Sequence, residues 1–461
     1  MVPMTATRSA EFVNAVIKAY DVRGVVGEQI DARFVGDVGA SFARLMRGEG
    51  ATRVVIGHDM RDSSPELAAA FAEGVLGQGL DVVHIGLAST DQLYFASGHL
   101  GCPGAMFTAS HNPARYNGIK LCRANALPVG QDTGLAAIAG EVVAGVPEYE
   151  GSRGTATEVD LLADYATFLR GLVNLDGLRP LKVAVDAGNG MGGHTVPEVL
   201  GVLAGITVVP LYFELDGAFP NHEANPLDPA NLVDLQELVR RSGADIGLAF
   251  DGDADRCFVV DEKGDPVSPS AITALVAERE LAKEPGATVI HNLITSRAVP
   301  ELVEQLGGTP VRTRVGHSFI KQQMAATGAV FGGEHSAHYY FRDFWGADSG
   351  MLAALHVLAA LGEKDRPVSE LMAAYQKYAA SGEINSTVAD AKERTMAVLE
   401  AFENRAVAVD RLDGVTVQLA EDAWFNLRAS NTEPLLRLNV EARSQEEVDA
   451  LVTEILSIVR S

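Results

Sequence analysis

Cysteine and tryptophan are scarce in this sequence, which has three cysteines and two tryptophans among 461 residues. The cysteines Cys102, Cys122 and Cys257 are far apart and form no Cys-x-x-Cys pair. Disulfide scaffolds and structural zinc sites need closely spaced cysteines, so neither is expected. The default compartment for such a chain is the reducing cytoplasm.

Long hydrophobic runs are also missing. The longest uncharged run, 92–114, is broken by glycine and proline, and a more apolar run, 199–213, covers only 15 residues. A helix needs about 20 apolar residues to cross a bilayer. The N-terminal segment has no apolar centre and carries Glu11, unlike a secretory signal peptide. We therefore expect no membrane partner.

Basic residues are outnumbered by acidic ones. The chain has 37 lysines and arginines against 61 aspartates and glutamates, which gives a formal net charge of −24 with histidine neutral. Nucleic acid and anionic membranes would be repelled by this charge, so we expect neither as a partner. A small phosphorylated ligand is compatible with it, because such a ligand needs only a local cluster of arginine and lysine.

The composition is otherwise that of a globular protein, with 47% hydrophobic and 21% charged residues. Domains of about 100–200 residues predict three or four of them in this chain. A buried strand followed by a helical pattern begins at 53–57, at 181–190 and again at 287–296. This alternation predicts three similar α/β domains with mixed sheets.

The C-terminal part follows a different pattern. Three closely spaced strands are predicted at 414–419, 424–430 and 435–442. The helix after them is predicted to begin at Ser444, where Glu447 completes a capping box. We therefore expect a smaller α+β domain at the C-terminus.

The segment GAMFTASHNPARYNGIK (104–120) places Ser110 at the end of a strand, in a polar turn. Lys120, ten residues on, could return beside this serine. A Ser-His hydrolase is one interpretation, but adjacent residues of an extended chain point apart and no Gly-x-Ser-x-Gly elbow is present. An ordinary surface turn is the other interpretation, because Ser, His, Asn and Pro are all common in turns.

The segment IGLAFDGDADRCFVVDE (246–262) places Asp251, Asp253 and Asp255 in a short loop between two apolar strands. Three clustered anions are costly unless a cation is bound, and oxygen ligands suit Mg²⁺ or Ca²⁺. An EF-hand is excluded because Arg256 occupies the position of its required glycine. A solvated acidic turn is the alternative.

The segment AVFGGEHSAHYYF (329–341) reads as a strand with Glu334, Ser336 and His338 on one face. These three groups together can bind sugar hydroxyls and move a proton. An ordinary half-buried strand with a hydrogen-bonded histidine is the alternative.

The segment RASNTEPLLR (428–437) concentrates guanidinium groups, hydroxyls and loop amides around one turn. Such groups suit a phosphate monoester dianion, whereas a solvated hairpin turn is the alternative. The residues concerned are Arg428, Ser430, Asn431, Thr432 and Arg437.

Together and in this order, the strings TASHNP, DGDADR, GEHSAH and RASNTEP resemble those of the α-D-phosphohexomutases, in particular the phosphomannomutase/phosphoglucomutase branch. AYDVRG (19–24) resembles the opening motif of that family, and the resemblance covers nearly the whole chain. It implies four domains around a central cleft, each contributing one loop. The expected domains are 1–148 with the phosphoserine loop, 155–260 with the metal loop, 261–375 with the sugar loop and 382–461 with the phosphate loop.

The resemblance also implies a role for each site residue. Ser110 would carry the phosphoryl group and, with the three aspartates of the metal loop, bind Mg²⁺. The other catalytic residues would be Lys120 and His338, as general acid and base, and Arg256. The substrate-binding residues would be Tyr20, Arg23, His317, Glu334, Ser336, Arg428, Ser430, Asn431, Thr432 and Arg437.

The implied activity is the interconversion of hexose 6-phosphate and hexose 1-phosphate, of mannose and also of glucose, through a bound 1,6-bisphosphate. The implied cofactors are Mg²⁺ and a hexose 1,6-bisphosphate activator, and the implied assembly is a monomer or small homo-oligomer. Phosphoglucosamine mutase and strict phosphoglucomutase are the enzymatic alternatives, and a phosphosugar-binding protein is the non-enzymatic one. Two positions depart from the family pattern, with Asp91 at a frequent proline and Ile294 at a frequent lysine.

Overall fold

The structure is a computed structural model that describes residues 8–429 and 435–461, apart from the side chain of His317. The described residues form two compact units. The first contains the chain up to Val267 together with Ser336–Ser369, and the second contains Ser268–His335 together with residues from Glu370 onwards. In this part of the chain no helix has the length and apolar character that a membrane span requires.

A mixed six-stranded sheet forms the beginning of the first unit. Its strands are β1 (Val22–Val25), β2 (Arg53–His58), β3 (Asp81–Leu87), β4 (Gly104–Phe107), β5 (Tyr116–Cys122) and β6 (Ala156–Glu158). The accompanying helices are α1 (Ala10–Val16), α2 (Ala32–Gly48), α3 (Ser64–Gly77), α4 (Thr90–Leu100) and α5 (Leu135–Ala144). The strand order is β1-β5-β4-β2-β3-β6, with β5 antiparallel to both neighbours and the other pairs parallel.

A second mixed sheet follows in the same unit. Its strands are β7 (Leu181–Asp186), β8 (Ile206–Leu211), β9 (Ile246–Phe250), β10 (Cys257–Val260) and β11 (Pro266–Val267). The helices are α6 (Leu162–Leu172), α7 (Gly192–Val199) and α8 (Val233–Ser242). β7 pairs in parallel with β8 and β9, whereas β10 is antiparallel to β9 and β11. The β9–β10 hairpin therefore presents its short loop, 251–256, at one end of this sheet.

The next segment contributes elements to both units. Its strands are β12 (Thr288–Asn292), β13 (Thr309–Thr313), β14 (Phe331–Gly333), β15 (Tyr339–Phe341) and β16 (Ala347–Asp348). The helices are α9 (Pro269–Lys283), α10 (Ala298–Gln305), α11 (His317–Thr327), α12 (Gly350–Gly362) and α13 (Val368–Ala373). In the second unit β12 is parallel to β13 and β14, and in the first unit β15 is antiparallel to β16.

The C-terminal domain is a fully antiparallel sheet in the order β17-β21-β20-β19-β18. Its elements are β17 (Ala379–Thr387), α14 (Ala391–Phe402), β18 (Ala406–Asp410), β19 (Val415–Leu419), β20 (Trp424–Ala429), β21 (Leu435–Ala442) and α15 (Gln445–Val459). The predicted capping box of α15 is present, with Ser444 and Glu447 each accepting the other's backbone N–H at 3.3 Å. The predicted fold class is thus confirmed, whereas the four domain boundaries stay predictions.

Helix α3 begins directly after the turn that follows β2, and a glycine fixes its distance from α2. A Cβ atom added at Gly74 would lie 2.2 Å from the carbonyl oxygen of Gly36 on α2. The same addition at Gly77, one turn further along α3, would meet nothing within 4 Å. The two glycines of this helix therefore allow a direct comparison, because Gly74 is in close contact with α2 whereas Gly77 faces open space.

We expect Gly74→Ala to lower the free energy of unfolding by about 1–3 kcal/mol, because the added methyl group forces two packed helices apart. Gly77→Ala should leave it unchanged or raise it by up to about 1 kcal/mol, since alanine favours the helix. Denaturant unfolding of the two variants and the wild type measures both effects. Equal stabilities for the two variants would contradict the packing described here.

Candidate active site

Ser110 lies in the turn just after β4, and its backbone is left-handed, with φ at 50°. Its N–H donates to Thr108 Oγ1 at 2.9 Å, and only 5% of the residue is exposed. Because of this turn, His111 Nδ1 lies 3.3 Å from Ser110 Oγ. The sequence argument that the two side chains point apart is therefore wrong, since the backbone here is not extended.

His111 itself is held neutral. Burial lowers its pKa well below the usual range, and the nearby Arg256 and Arg23 lower it further. A neutral imidazole beside Ser110 can hydrogen-bond to the hydroxyl without adding charge to the site.

The metal loop predicted from the sequence lies between β9 and β10. Asp251, Asp253 and Asp255 are all buried, with at most 1% of each residue exposed. Between the last two, Ala254 is left-handed, with φ at 60°, which makes the loop a tight turn. The solvated acidic turn that was the alternative is therefore excluded, because these carboxylates are not in contact with bulk water.

The predicted phosphoserine loop and the predicted metal loop are in direct contact. Ser110 Oγ donates to Asp251 Oδ2 at 2.9 Å. The loops approach so closely that a Cβ atom at Gly252 would lie 2.4 Å from the carbonyl oxygen of Ser110. Glycine is thus required at this position for the serine to reach the carboxylate.

Two cations hold the metal loop. Lys120, on β5, contacts Asp253 Oδ2 at 2.7 Å and Asp255 Oδ2 at 2.6 Å. Arg256 donates from Nε to Asp251 Oδ2 at 2.8 Å. Lys120 thus returns to this site, where it contacts two carboxylates.

These contacts decide the protonation of the lysine. Burial by itself disfavours the ammonium form, but Asp253 and Asp255 more than compensate and raise the pKa of Lys120 well above its usual value. Lys120 therefore carries its proton in this state.

The loop also fits a divalent cation. One carboxylate oxygen of each of the three aspartates lies within 4.8 Å of the others. Asp253 Oδ1 and Asp255 Oδ1 are buried and have no hydrogen-bond partner in the described part of the chain. Burial, with the neighbouring carboxylates, raises the pKa of Asp251 to about 7 even though Arg256 opposes this. The positive charges of Lys120 and Arg256 therefore do not neutralise all three buried carboxylates. Carboxylate oxygens are ligands that suit Mg²⁺ or Ca²⁺.

A second cluster shares one of these acids. Ligand atoms of Asp255, His338 and Asp348 lie within 4.8 Å of one another. His338 Nε2 is 3.7 Å from Asp255 Oδ1, and its Nδ1 is 3.0 Å from Ser336 Oγ. His338 is therefore beside the metal loop.

The expectation that Glu334, Ser336 and His338 share a strand face is wrong. β14 ends at Gly333, the chain turns at 335–337, and Ala337 is left-handed with φ at 64°. Alternation along the sequence does not report a face when the backbone is not extended.

Arg23 and Tyr20 lie near the start of the chain. Arg23 donates to Asn112 Oδ1 at 2.7 Å, next to the serine turn, and to Asp21 Oδ2 at 2.5 Å. Tyr20 is half-buried. Arg23 is thus brought next to the turn that holds Ser110.

In the second unit, Glu334 is fixed at the end of β14. Its Oε1 accepts from Asn292 Nδ2 and from the N–H of Gly316, both at 3.1 Å, and 2% of the residue is exposed. Ile294 is buried and contributes no polar side-chain atom. The side chain of His317 lies outside the described residues, so its predicted role stays a prediction.

The C-terminal domain pairs two of the predicted arginines. Arg428 on β20 is opposite Arg437 on β21 in the strand register. Both reach Glu383 on β17, with N–O distances of 3.5 Å for Arg428 and 3.3 Å for Arg437. Two guanidinium groups around one carboxylate form an arrangement that suits an oxyanion. Ser430, Asn431 and Thr432 lie outside the described residues.

The departure at Asp91 has a structural role. This carboxylate is fully buried and accepts hydrogen bonds from Tyr165 Oη at 2.7 Å, from Ser349 Oγ at 2.6 Å and from Ser89. Burial raises its pKa to about 6. The preceding Thr90 donates to Asp253 Oδ2 at 2.6 Å, so Asp91 anchors the residue that holds the metal loop.

Sequence reasoning missed one residue pair at the site. Asp59 and Arg61 follow β2, are each 1% exposed, and form an ion pair at 3.2 Å. Arg61 also donates to the carbonyl oxygen of Ser110 at 2.9 Å. The available signal was two opposite charges in the string HDMRDSS directly after a buried strand.

Comparison with known proteins matches four successive segments of the chain to the domain models of one protein family. The matching family models are phosphoglucomutase/phosphomannomutase alpha/beta/alpha domain I at 14–144, domain II at 163–264, domain III at 268–378 and the C-terminal domain at 383–458.

Similar proteins match over nearly the whole chain. A phosphomannomutase of Escherichia coli strain K12 is 42% identical over 92% of this chain and 94% of its own length. Another Escherichia coli phosphomannomutase is 40% identical over 96% of this chain and 98% of its own. The crystal structure of a phosphoglucomutase/phosphomannomutase family protein from Burkholderia thailandensis has a TM-score of 0.88, 32% identity and 97% coverage of both chains.

We expect Asp253→Asn to weaken Mg²⁺ binding more than about tenfold, because an amide is a weaker ligand than a carboxylate for a hard cation. Calorimetric titration of MgCl₂ into the chelator-treated full chain measures the affinity. Asp164→Asn, which removes an exposed carboxylate of α6, is the matched control and should bind like the wild type. Equal affinities for the two variants would contradict the assignment of the metal loop.

Proposed function

The chain belongs to the phosphoglucomutase/phosphomannomutase family, and we propose that it interconverts hexose 1-phosphates and hexose 6-phosphates, of mannose and also of glucose. The observation that carries the proposal is the contact between Ser110 Oγ and Asp251 at 2.9 Å inside a buried acidic loop. A serine beside three carboxylates suits a phosphoryl carrier whose charge is neutralised by a metal ion.

We assign the phosphoryl transfer to Ser110. In the first half-reaction a sugar hydroxyl attacks the phosphorus of phospho-Ser110, so that the bond to Ser110 Oγ breaks and a bond to the sugar oxygen forms. The product is a hexose 1,6-bisphosphate. In the second half-reaction Ser110 Oγ attacks the other phosphate, which restores the phosphoserine and releases the isomeric monophosphate.

The protons move in a closed cycle. His338 takes the proton of the attacking sugar hydroxyl, and Lys120, which carries its proton, gives it to Ser110 Oγ as that oxygen leaves. In the second half-reaction Ser110 returns its proton to Lys120, and His338 protonates the sugar oxygen. The support for these roles is the position of both residues beside the metal loop.

We propose Mg²⁺ as the ion, which the three aspartates of the loop and the phosphorylated Ser110 would hold. When bound, Mg²⁺ neutralises charge on the transferring group. Arg256 adds a fixed positive charge at the same place, because it is buried against Asp251. A hexose 1,6-bisphosphate acts as activator, because it can phosphorylate a Ser110 that has lost its phosphate.

Substrate recognition is assigned to the predicted sugar-binding and phosphate-binding residues. Glu334 and Ser336 bind sugar hydroxyls, and Arg428 and Arg437 bind the phosphate that is not reacting. The predicted set also contains Tyr20, Arg23, His317, Ser430, Asn431 and Thr432. We further propose a cytoplasmic enzyme, a location that the three free and buried cysteines support.

We expect mannose 1-phosphate and glucose 1-phosphate to be turned over faster than glucosamine 1-phosphate when assayed side by side with Mg²⁺ and a bisphosphate activator. Ser110→Ala should lower every one of these rates by at least about 1,000-fold, because the phosphoryl acceptor is lost. The wild-type protein should also show a substoichiometric mass increase of one phosphate, which Ser110→Ala lacks.

The outcomes of these assays are distinct. Near-normal turnover by Ser110→Ala would end the proposed mechanism. Preference for glucosamine 1-phosphate would assign the chain to the phosphoglucosamine branch, and binding of hexose phosphates without any turnover would indicate a phosphosugar-binding protein.

We expect Arg428→Ala to raise KM for mannose 1-phosphate and glucose 1-phosphate by the same factor, about tenfold or more, because a charge-assisted hydrogen bond to phosphate is lost. Steady-state kinetics on both sugars measures the change. The control is Arg405→Ala, which removes an exposed arginine of the same domain that pairs with Glu454. A KM effect confined to one sugar would contradict the assigned role of Arg428.

A further inference from the structure

Arg61 holds the phosphoserine loop by its backbone. Its Nη2 donates to the carbonyl oxygens of Ser110 at 2.9 Å and Asn112 at 2.7 Å. Its Nη1 donates to the carbonyl oxygens of Pro113 at 3.0 Å and Tyr116 at 3.1 Å. Four carbonyl groups of one turn therefore converge on a single guanidinium group, whose planar geometry fixes their relative positions.

Asp59 also holds the guanidinium group of Arg61. Arg61 Nε donates to Asp59 Oδ2 at 3.2 Å, and the Arg61 backbone N–H donates to Oδ1 at 3.0 Å. Ser64 Oγ donates to the same Oδ1 at 2.6 Å. All five N–H donors of the guanidinium therefore have acceptors.

The loop that follows β8, in the second sheet of the first unit, covers the same arginine. The Arg61 guanidinium carbon lies 5.0 Å from the centre of the Phe219 ring. A Cβ atom at Gly217 would lie 2.7 Å from Arg61 Cα. These contacts enclose Arg61, of which 1% is exposed.

We propose that Arg61 is a positioning residue for phosphoryl transfer. It acts through the backbone of the phosphoserine loop, because it holds Ser110 in the left-handed conformation that directs Oγ to Asp251. Since its donors are used by carbonyl groups and by Asp59, it has none left for the phosphoryl group. The same contacts can therefore hold the loop in both half-reactions, whether Ser110 is phosphorylated or free.

The size of the effect follows from geometry. A displacement of about 1 Å of a reacting atom can cost about 100-fold in rate. Loss of Arg61 should therefore lower kcat and leave KM nearly unchanged, because the groups assigned to substrate recognition do not include it. A residue that only stabilised the fold would lower the fraction of active protein and leave the kcat of the folded molecules intact.

The test uses the full chain with two substitutions of Arg61. In the double variant Arg61→Met with Asp59→Asn, the charge pair is removed together, so that no buried carboxylate is left unpaired. Arg61→Lys keeps the charge but cannot reach four carbonyl groups with its three donors. Arg53→Met is the matched control, because Arg53 also donates to a carbonyl oxygen, that of Leu100, from an exposed position.

The measurements are kcat and KM per folded molecule, with the rate of Ser110 phosphorylation by glucose 1,6-bisphosphate followed by intact mass. We expect the double variant to lose about 100-fold in kcat and in phosphorylation rate, with KM within about threefold of the wild type. Arg61→Lys should recover part of the loss, and Arg53→Met should be unaffected.

Two results would overturn the proposal. One is a folded double variant with wild-type kcat, and the other is a raised KM at unchanged kcat, which would indicate contact with substrate. If the double variant does not fold, Arg61→Lys decides in the same way, since wild-type kcat there excludes a need for the four contacts. The inference rests on the proposed function, but the two fail separately, because an active Ser110→Ala removes the mechanism whereas a fully active Arg61→Lys removes only this residue's role.

Discussion

The burial of three carboxylates beside one serine is the constraint on which the rest of the site depends. Like charges at this spacing repel strongly in a dry environment, so each is held by a specific partner. Lys120 and Arg256 supply two positive charges, Thr90 donates to Asp253, and the backbone N–H of Met191 donates to the carbonyl oxygen of Gly252 at 2.9 Å. The remaining negative charge makes the site suitable for a metal ion and, with it, for a phosphoryl group.

The residues of the proposed mechanism are distributed over the two compact units. The first contains Ser110, the acidic loop and the two residues to which we assign proton transfer, and its contacts are buried and mutually dependent. The second holds Glu334 and the pair Arg428 and Arg437, each fixed by neighbours within that unit. The residues assigned to bond formation and proton transfer thus belong to the first unit, as do Tyr20, Arg23 and Ser336, whereas Glu334, Arg428 and Arg437 belong to the second.

Local patterns in the sequence predicted what depends on neighbouring residues. The capping box at Ser444, the strand 435–442 and the acidic turn at 251–255 are each specified within a few residues. What the sequence did not show depends on distant contacts: Arg61 meets carbonyl groups about fifty residues further on, and Asp91 meets Ser349 across 258 positions. The turn at 335–337 was missed for another reason, because alternating polar residues suit a strand until a left-handed Ala337 interrupts it.

Transfer of phosphate from Ser110 to the sugar and back is the central claim, and a single-turnover chase measures it directly. Wild-type enzyme carrying ³²P on Ser110 is mixed with excess unlabelled mannose 6-phosphate and Mg²⁺, then quenched at intervals. We expect label to leave the protein and to appear first in mannose 1,6-bisphosphate and then in mannose monophosphate, at rates no slower than turnover. Label that stays on the protein, or that is released only as inorganic phosphate, would contradict it.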